Sequence, residues 1–178
     1  GNGHEVMDSI SYPDLISDAP YGRTVDGEGH FSYMLATPGS SNVQPDFSGL
    51  YINEIMASNS LSLEDDKGEY DDWIELYNDA DQALNVGGLF LSDSLENRAK
   101  FRISTAYPDS TTIPPGGYLL LWADNSREQG ILHANFKLDG NGEGIFLSSS
   151  TAGDIIDSLT YGKQYSNISH GRDPQHPD

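Results

Sequence analysis

The sequence of 178 residues contains no cysteine, few basic residues and no long apolar run. Without cysteine the chain has no disulfide, no thiolate zinc site and no cysteine nucleophile. Only nine Lys and Arg stand against 28 Asp and Glu, which gives a formal net charge of −19. Because nucleic-acid binding depends on neutralising phosphates with basic side chains, we expect no nucleic-acid partner. No apolar run approaches the roughly 20 residues of a membrane-spanning helix, so we expect no membrane span.

Motifs for catalysis are also scarce. The five histidines lack the spacing that builds a zinc site, and no G-x-S-x-G motif supplies a nucleophile. No glycine-rich loop opens a helix to hold phosphate. The carboxylates Asp72 and Glu75 flank Trp73, and we interpret them as groups that satisfy backbone donors at a strand end. The sequence therefore predicts a protein that is not an enzyme.

Seventeen residues near the start of the chain recur near its end. The first copy, residues 7–23, reads MDSISYPDLISDAPYGR, and the second copy, residues 156–172, reads IDSLTYGKQYSNISHGR. Both copies end in Gly-Arg, at Arg23 and Arg172. We expect each arginine to bind an Asp or Glu bidentately and to fix the end of its strand. An internal repeat of this kind indicates that the chain opens with the end of one structural unit and stops inside the end of the next.

Short apolar and β-branched runs, bounded by Gly, Pro, Asn and Asp, recur from about residue 50 to residue 161, which is typical of all-β proteins. The run YLLLWA at 118–123 is apolar throughout, so we expect a central, fully buried strand there. Turns are predicted at 114–117, 139–142 and 152–154, and short helices at most at 61–65 or 126–129. Eight strands, which together predict a β-sandwich, are expected at 49–57, 73–78, 84–86, 89–93, 100–103, 118–123, 144–149 and 155–161.

Residues 36–48 are small, polar and rich in Pro and Ser, which is typical of a linker. We therefore predict an N-terminal segment with its linker over residues 1–46 and a sandwich domain over residues 47–178.

A series of short motifs runs through the second domain in a fixed order: INEI at 52–55, ASN at 57–59, DWIELYN at 72–78, LSD at 91–93, IPPGGY at 113–118, LHANF at 132–136, IDS at 156–158 and GR at 171–172. The order of these motifs resembles the bacterial lamin tail domain family. The resemblance implies an all-β, immunoglobulin-like β-sandwich. It also implies a non-catalytic accessory module of a larger secreted or cell-surface protein, and hence an extracytoplasmic location. The partners would be neighbouring domains of the polypeptide or other proteins.

One departure from the family pattern concerns the last strand. In that family, Gly-Arg is followed by a Gly-rich stretch, an aromatic strand and a Thr-Pro-Gly-x-x-Asn closure, and here the closure stands at residues 37–42. Residues 1–42 therefore resemble the terminal strands of a second copy. A sandwich without its last strand has an exposed edge. We expect the segment at 29–35 to occupy that edge, either within the chain or in a strand-exchanged homodimer.

The densest acidic cluster, with Gly68 inside it, is a candidate calcium site. Calcium takes six to eight oxygen ligands, and a glycine permits the sharp loop that gathers them. The spacing is not that of an EF-hand, and a solvated acidic loop is the alternative interpretation. No other cofactor is expected. The candidate ligands are Glu64, Asp65, Asp66, Glu69, Asp71 and Asp72.

Two further functions remain open. A calcium-dependent carbohydrate-binding or adhesive module would need surface aromatics, whereas core burial is the usual place for such side chains. A metal-dependent hydrolase would use the acidic loop at 64–72 and would need a concave pocket. The aromatics considered for a sugar platform are Tyr70, Trp73, Tyr77, Tyr107 and Trp122.

Overall fold

The computed structural model describes residues 7–12, 20–34, 37–42, 46–149 and 155–172. The chain divides into two compact units, an N-terminal unit, Gly1–Gln44, and a C-terminal unit, Pro45–Asp178. The predicted turn at 152–154 and parts of the predicted linker lie outside the described residues. Among the helices described, none is both long enough and apolar enough to cross a membrane.

The N-terminal unit contains an antiparallel hairpin of strands β1 (Tyr21–Val25) and β2 (Glu28–Tyr33). Asp26 and Gly27 form its turn, and Gly27 adopts φ 70°, which only glycine takes without strain. The Asp26 carboxylate accepts hydrogen bonds from the Ser41 hydroxyl and from the backbone N–H of Asn42. This contact brings the closure segment at 37–42 back onto the hairpin turn.

The C-terminal unit is an all-β sandwich, as predicted, and all eight predicted strands are present. Its elements are β3 (Leu50–Met56), β4 (Trp73–Asn78), β5 (Leu84–Asn85), β6 (Phe90–Ser92), β7 (Phe101–Arg102), α1 (Pro108–Thr111), β8 (Thr112–Ile113), β9 (Tyr118–Trp122), a 3₁₀ helix (Arg127–Gln129), β10 (Glu143–Ser148), β11 (Ile155–Tyr161) and β12 (His170–Gly171). One sheet has the order β12-β3-β4-β9 and the other β11-β10-β6-β7, while β5 and β8 form a two-stranded sheet. The pairings are antiparallel.

The core lies between the two four-stranded sheets. Alternation along β4 places Ile74 and Leu76 inside, and both are fully buried. A shift of register in β3 between Ile52 and Glu54 marks a bulge, so that Ile52 and Ile55 are both buried although they are three residues apart. Each such side chain contributes about 1.5–3 kcal/mol on burial. The opposite sheet contributes Phe90, Leu91, Phe101, Ile145 and Leu147.

The prediction of a central, fully buried strand at 118–123 is wrong. Strand β9 is the last strand of its sheet, and Tyr118 at its start is exposed. Its far end is buried because the segment around His133 pairs with it in parallel: Trp122 N–H donates to Leu132 O over 2.8 Å, and Ala134 N–H donates to Trp122 O over 2.7 Å. A covering segment, and not a central position, therefore accounts for the apolar sequence.

Two turns and one short helix agree with the sequence. Gly117 N–H donates to Pro114 O over 2.9 Å before β9, and Gly142 N–H donates to Asp139 O over 3.0 Å before β10. The helix expected at 126–129 is the 3₁₀ helix, whereas residues 61–65 are not helical. Strands β8 and β12 and helix α1 were not predicted because they span only two to four residues each.

Candidate functional site

In the second copy, Arg172 and Asp157 tie three strands together. Arg172 Nη2 donates to both Asp157 carboxylate oxygens over 2.7 Å. Arg172 Nε donates to Ile52 O over 2.8 Å, and the Ile52 N–H donates to Asp157 Oδ2 over 2.6 Å. The backbone N–H of Arg172 donates to Asn53 O over 2.9 Å. The pair therefore holds the end of β12 against β3 and joins β3 to β11 in the opposite sheet.

The first copy contains the same pair at the same spacing. Arg23 Nη2 donates to both oxygens of Asp8 over 2.8 and 3.0 Å, and this contact lowers the pKa of Asp8. Arg23 also lies over the Phe31 ring, just as Arg172 lies over Tyr51. The side chain of Asp8 is 71% exposed, whereas that of Asp157 is 14% exposed. The prediction that each arginine binds a carboxylate is confirmed, but the bidentate geometry is not, because in both pairs the single nitrogen Nη2 contacts both carboxylate oxygens. The two pairs differ mainly in burial.

Strand β12 forms an edge of the sandwich. It consists of His170 and Gly171, both exposed, and it pairs with Ile55 and Glu54 of β3. It stands first in the order β12-β3-β4-β9. An edge strand presents unpaired backbone groups that can accept a further strand. The described part of the sandwich therefore has an exposed edge at the place where the sequence predicts one.

The acidic loop, residues 64–72, turns at Asp65. Asp65 Oδ1 accepts the N–H groups of Lys67 and Glu69 over 2.8 Å each, while Gly68 adopts φ 80°. Aspartate and glycine are suited to such a turn because the first binds nearby N–H groups and the second allows positive φ. The other oxygen, Asp65 Oδ2, is buried and has no hydrogen-bond partner among the described residues. The turn thus uses one carboxylate oxygen and leaves the other free.

Two groups of potential metal ligands meet at Asp65. One ligand atom from each of Asp65, Glu69 and Asp71 lies within 4.8 Å of the others, and the same holds for Asp65, Asp124 and His133. Asp124 and His133 are only 3% and 4% exposed. His133 Nδ1 lies 2.5 Å from Asp124 Oδ2, and its ring stacks on a neighbouring indole. Three of the six predicted ligands are therefore brought together, beside a buried His–Asp pair.

The other three predicted ligands belong to neither group. Glu64 hydrogen-bonds to Tyr70 and raises the pKa of that phenol. Asp66 is exposed and pairs with Lys67 over 2.8 Å. Asp72 Oδ1 accepts the Asn59 N–H over 3.2 Å. Burial raises the pKa of Asp72 to about 6.

Negative charge accumulates around the free Asp65 oxygen. Burial raises the pKa of Asp71, and the nearby Asp124 carboxylate raises it further. Gln129 Nε2 donates to Glu69 Oε2 over 2.8 Å, and the amide oxygen of the same side chain is buried without a partner among the described residues. Two buried acceptor oxygens, Asp65 Oδ2 and Gln129 Oε1, thus lie beside a cluster of carboxylates.

Sequence reasoning did not place Asp124, Gln129 or His133 in the site. His133 is one of the five histidines whose spacing does not indicate a zinc site, and in the structure its Nδ1 contacts Asp124 Oδ2. All three follow β9, whereas the acidic loop precedes β4, and the two strands pair through Trp73 and Trp122. A prediction that β4 pairs with β9 would have indicated that these two segments lie close together.

A row of three tyrosines crosses the outer face of one sheet. Tyr51 pairs with Tyr77, which pairs with Tyr118, and the last two rings stack with centroids 4.9 Å apart. This tyrosine row differs from the aromatic set considered from the sequence. Of that set, Trp73 and Trp122 are buried beside Met56, Tyr70 and Tyr107 are exposed, and only Tyr77 belongs to the row.

The comparison with known families gives one match. The profile of the Lamin Tail Domain family matches residues 44–163, which include β3 to β11. The match confirms the predicted immunoglobulin-like sandwich, and it leaves out the first copy and residues 171–172. No curated protein and no solved structure matches the chain.

Proposed function

Because the chain belongs to the lamin tail domain family, we propose that it is a non-catalytic interaction module of a larger secreted or cell-surface bacterial protein. An immunoglobulin-like fold alone does not specify a function, which has to be argued from a site. The observation that carries this proposal is the Asp–Arg pair that recurs in both copies, once within the sandwich and once on a hairpin. The secreted or surface location rests on the resemblance to bacterial members of the family.

The mode of interaction that we propose is exchange of strands between two copies of the chain. The repeat aligns Tyr21, Gly22 and Arg23 with residues 170–172. The hairpin β1-β2 of one chain then takes the place of β12 on β3 of a second chain, and β2 adds a further strand to the sheet. Backbone hydrogen bonds supply the affinity in such β-augmentation.

Two physical arguments support this exchange. A two-stranded hairpin is marginally stable alone in water, so the described hairpin gains by joining a larger sheet. Strand β12 contributes only two paired residues, whereas β1 has five residues and brings β2 with it. In the exchanged position, Arg23 would bind the backbone of β3 as Arg172 does through Ile52 O.

Light scattering with size-exclusion chromatography on the full chain, over a range of concentrations, tests the proposal. We expect a dimer whose dissociation constant rises at least tenfold in Arg23→Ala, because one charge-assisted contact is lost for each of the two exchanged strands. Lys163→Ala, which removes one positive charge from an exposed position, serves as control and should leave the dimer unchanged. A monomer at every concentration, or a dimer insensitive to Arg23→Ala, contradicts strand exchange.

The tyrosine row favours a second candidate function, carbohydrate binding. Aromatic faces stack on sugar rings, and a flat exposed aromatic patch is the surface that an adhesive module needs. Tyr118 and Tyr107 are 58% and 57% exposed, but only Tyr118 stacks on Tyr77. On a glycan array, we expect Tyr118→Ala to weaken binding at least tenfold and Tyr107→Ala to leave it unchanged. Absence of glycan binding by the unmodified chain rules out this candidate.

A further inference from the structure

The free oxygen of Asp65 requires a partner. A buried carboxylate oxygen without a hydrogen bond is costly unless a cation or a donor compensates it. Asp65 Oδ1 already accepts two N–H groups, so the turn positions the side chain and leaves Oδ2 buried and unpaired among the described residues. Gln129 Oε1 is likewise buried and without a hydrogen-bond partner among the described residues, while Gln129 Nε2 donates to Glu69.

We propose that Asp65, Glu69, Asp71 and the Gln129 amide oxygen bind one Ca²⁺ ion. All four groups offer oxygen, which calcium prefers, and calcium takes six to eight such ligands with backbone carbonyls and water completing the shell. The three carboxylate ligand atoms lie within 4.8 Å of one another. The ion links the acidic loop to the 3₁₀ helix Arg127–Gln129. This inference is independent of strand exchange and of carbohydrate binding.

The structure favours calcium over zinc. A zinc site here would use Asp65, Asp124 and His133, but Asp124 Oδ2 and His133 Nδ1 bind each other, and Asp124 Oδ1 accepts the Ser126 N–H over 2.9 Å. Both Asp124 oxygens are therefore already hydrogen-bonded, and even with His133 Nε2 as a ligand the set provides only three of the four ligands that a structural zinc site needs. We assign the Asp124–His133 pair a positioning role next to the ion.

Isothermal titration of the full chain with CaCl₂, after dialysis against EDTA, tests the assignment. We expect one Ca²⁺ per chain, and a melting temperature that rises with Ca²⁺ and falls back when EDTA is added, because an ion that binds only the folded state stabilises it. Asp65→Asn keeps an acceptor for the turn and removes the ligand charge, so it should weaken binding at least tenfold. Asp109→Asn, an exposed position outside the site, should bind Ca²⁺ like the unmodified chain.

Three outcomes overturn the assignment. The first is the absence of both binding heat and a change in melting temperature at millimolar Ca²⁺. The second is equal Ca²⁺ affinity of Asp65→Asn and Asp109→Asn, because it would place the ion elsewhere on the acidic surface. The third is preferential binding in a parallel ZnCl₂ titration that is lost in His133→Gln and kept in Glu69→Gln. Circular dichroism of each variant without metal establishes that the fold is retained.

Discussion

Replacing Asp157 with alanine is expected to lower the free energy of unfolding by about 2–4 kcal/mol, because it leaves a half-buried guanidinium without its counter-ion. The same change removes the acceptor of the Ile52 N–H, which donates to Asp157 Oδ2 over 2.6 Å. Both losses act on β3, the strand that Arg172 and Asp157 connect to β12 and β11. Urea unfolding followed by tryptophan fluorescence measures the change, since Trp73 and Trp122 are both buried in the sandwich.

The repeat supplies a matched control for this prediction. Asp8→Ala removes the equivalent carboxylate of the first copy, whose partner is Arg23. Asp8 is largely exposed, and exposed ion pairs contribute little because water and salt screen them. We therefore expect little or no change in the unfolding midpoint for Asp8→Ala. Equal losses from Asp8→Ala and Asp157→Ala would contradict the argument from burial.

A second variant separates charge from geometry. Arg172→Lys keeps the positive charge but loses the planar group that reaches Asp157 and Ile52 O together. We expect the free energy of unfolding of this variant to be clearly lower than that of the unmodified chain. If Arg172→Lys is as stable as the unmodified chain, the pair acts through charge alone and the strand-joining role is wrong.

The features of the fold that the sequence predicts correctly are those that depend on neighbouring residues in the chain. Strands such as Trp73–Asn78 and Ile155–Tyr161 were found to the residue, because alternation and flanking turn residues are written in the adjacent sequence. The position of a strand within its sheet cannot be read from the residues next to it. Strand β9 was misplaced because its apolar end is covered by residues that are distant in the sequence. Leu120 and Trp122 pack against Met56 and Trp73 of the same sheet, and the segment around His133 pairs with Trp122 from outside the sheet.

The candidate metal site likewise has a part that the local sequence predicts and a part that depends on long-range contacts. Local acidic density pointed to Asp65, Glu69 and Asp71, which lie within one loop. The same density also included Glu64, Asp66 and Asp72, because a run of carboxylates does not reveal which side chains converge on one point. Gln129 and the Asp124–His133 pair come from a segment that only the pairing of β4 with β9 brings near. Long-range contacts of this kind are set by topology, and no local pattern reports them.

The two halves of the repeat were informative for a different reason. Asp8 and Arg23 are separated by 15 positions, and so are Asp157 and Arg172. Because the Asp and the Arg stand at the same spacing in both copies, a contact between them in one copy predicts the same contact in the other. The sequence predicted that each arginine binds an Asp or Glu, and the structure identifies these carboxylates as Asp8 and Asp157.

Replacing Asn78 with alanine is expected to cost about 2–4 kcal/mol of unfolding free energy, because buried hydrogen-bond partners are left unsatisfied and a cavity forms. Asn78 is 0% exposed at the end of β4. Its Nδ2 donates to Gln82 O over 2.8 Å and to Ile113 O over 2.9 Å, and its Oδ1 accepts the Ala80 N–H over 2.9 Å. The side chain thus connects β4 to β8 and to the segment before β5.

Asn97→Ala is the control for this prediction, because Asn97 is exposed and surface substitutions usually change stability by at most about 0.5 kcal/mol. Asn78→Asp sharpens the test. It keeps the acceptor for Ala80 but removes both donors and buries a carboxylate, so at neutral pH it should be at least as destabilising as Asn78→Ala. Urea unfolding at neutral pH compares the three variants. A midpoint of Asn78→Asp near that of the unmodified chain would mean that the two donated hydrogen bonds are not what holds β8 against the sandwich.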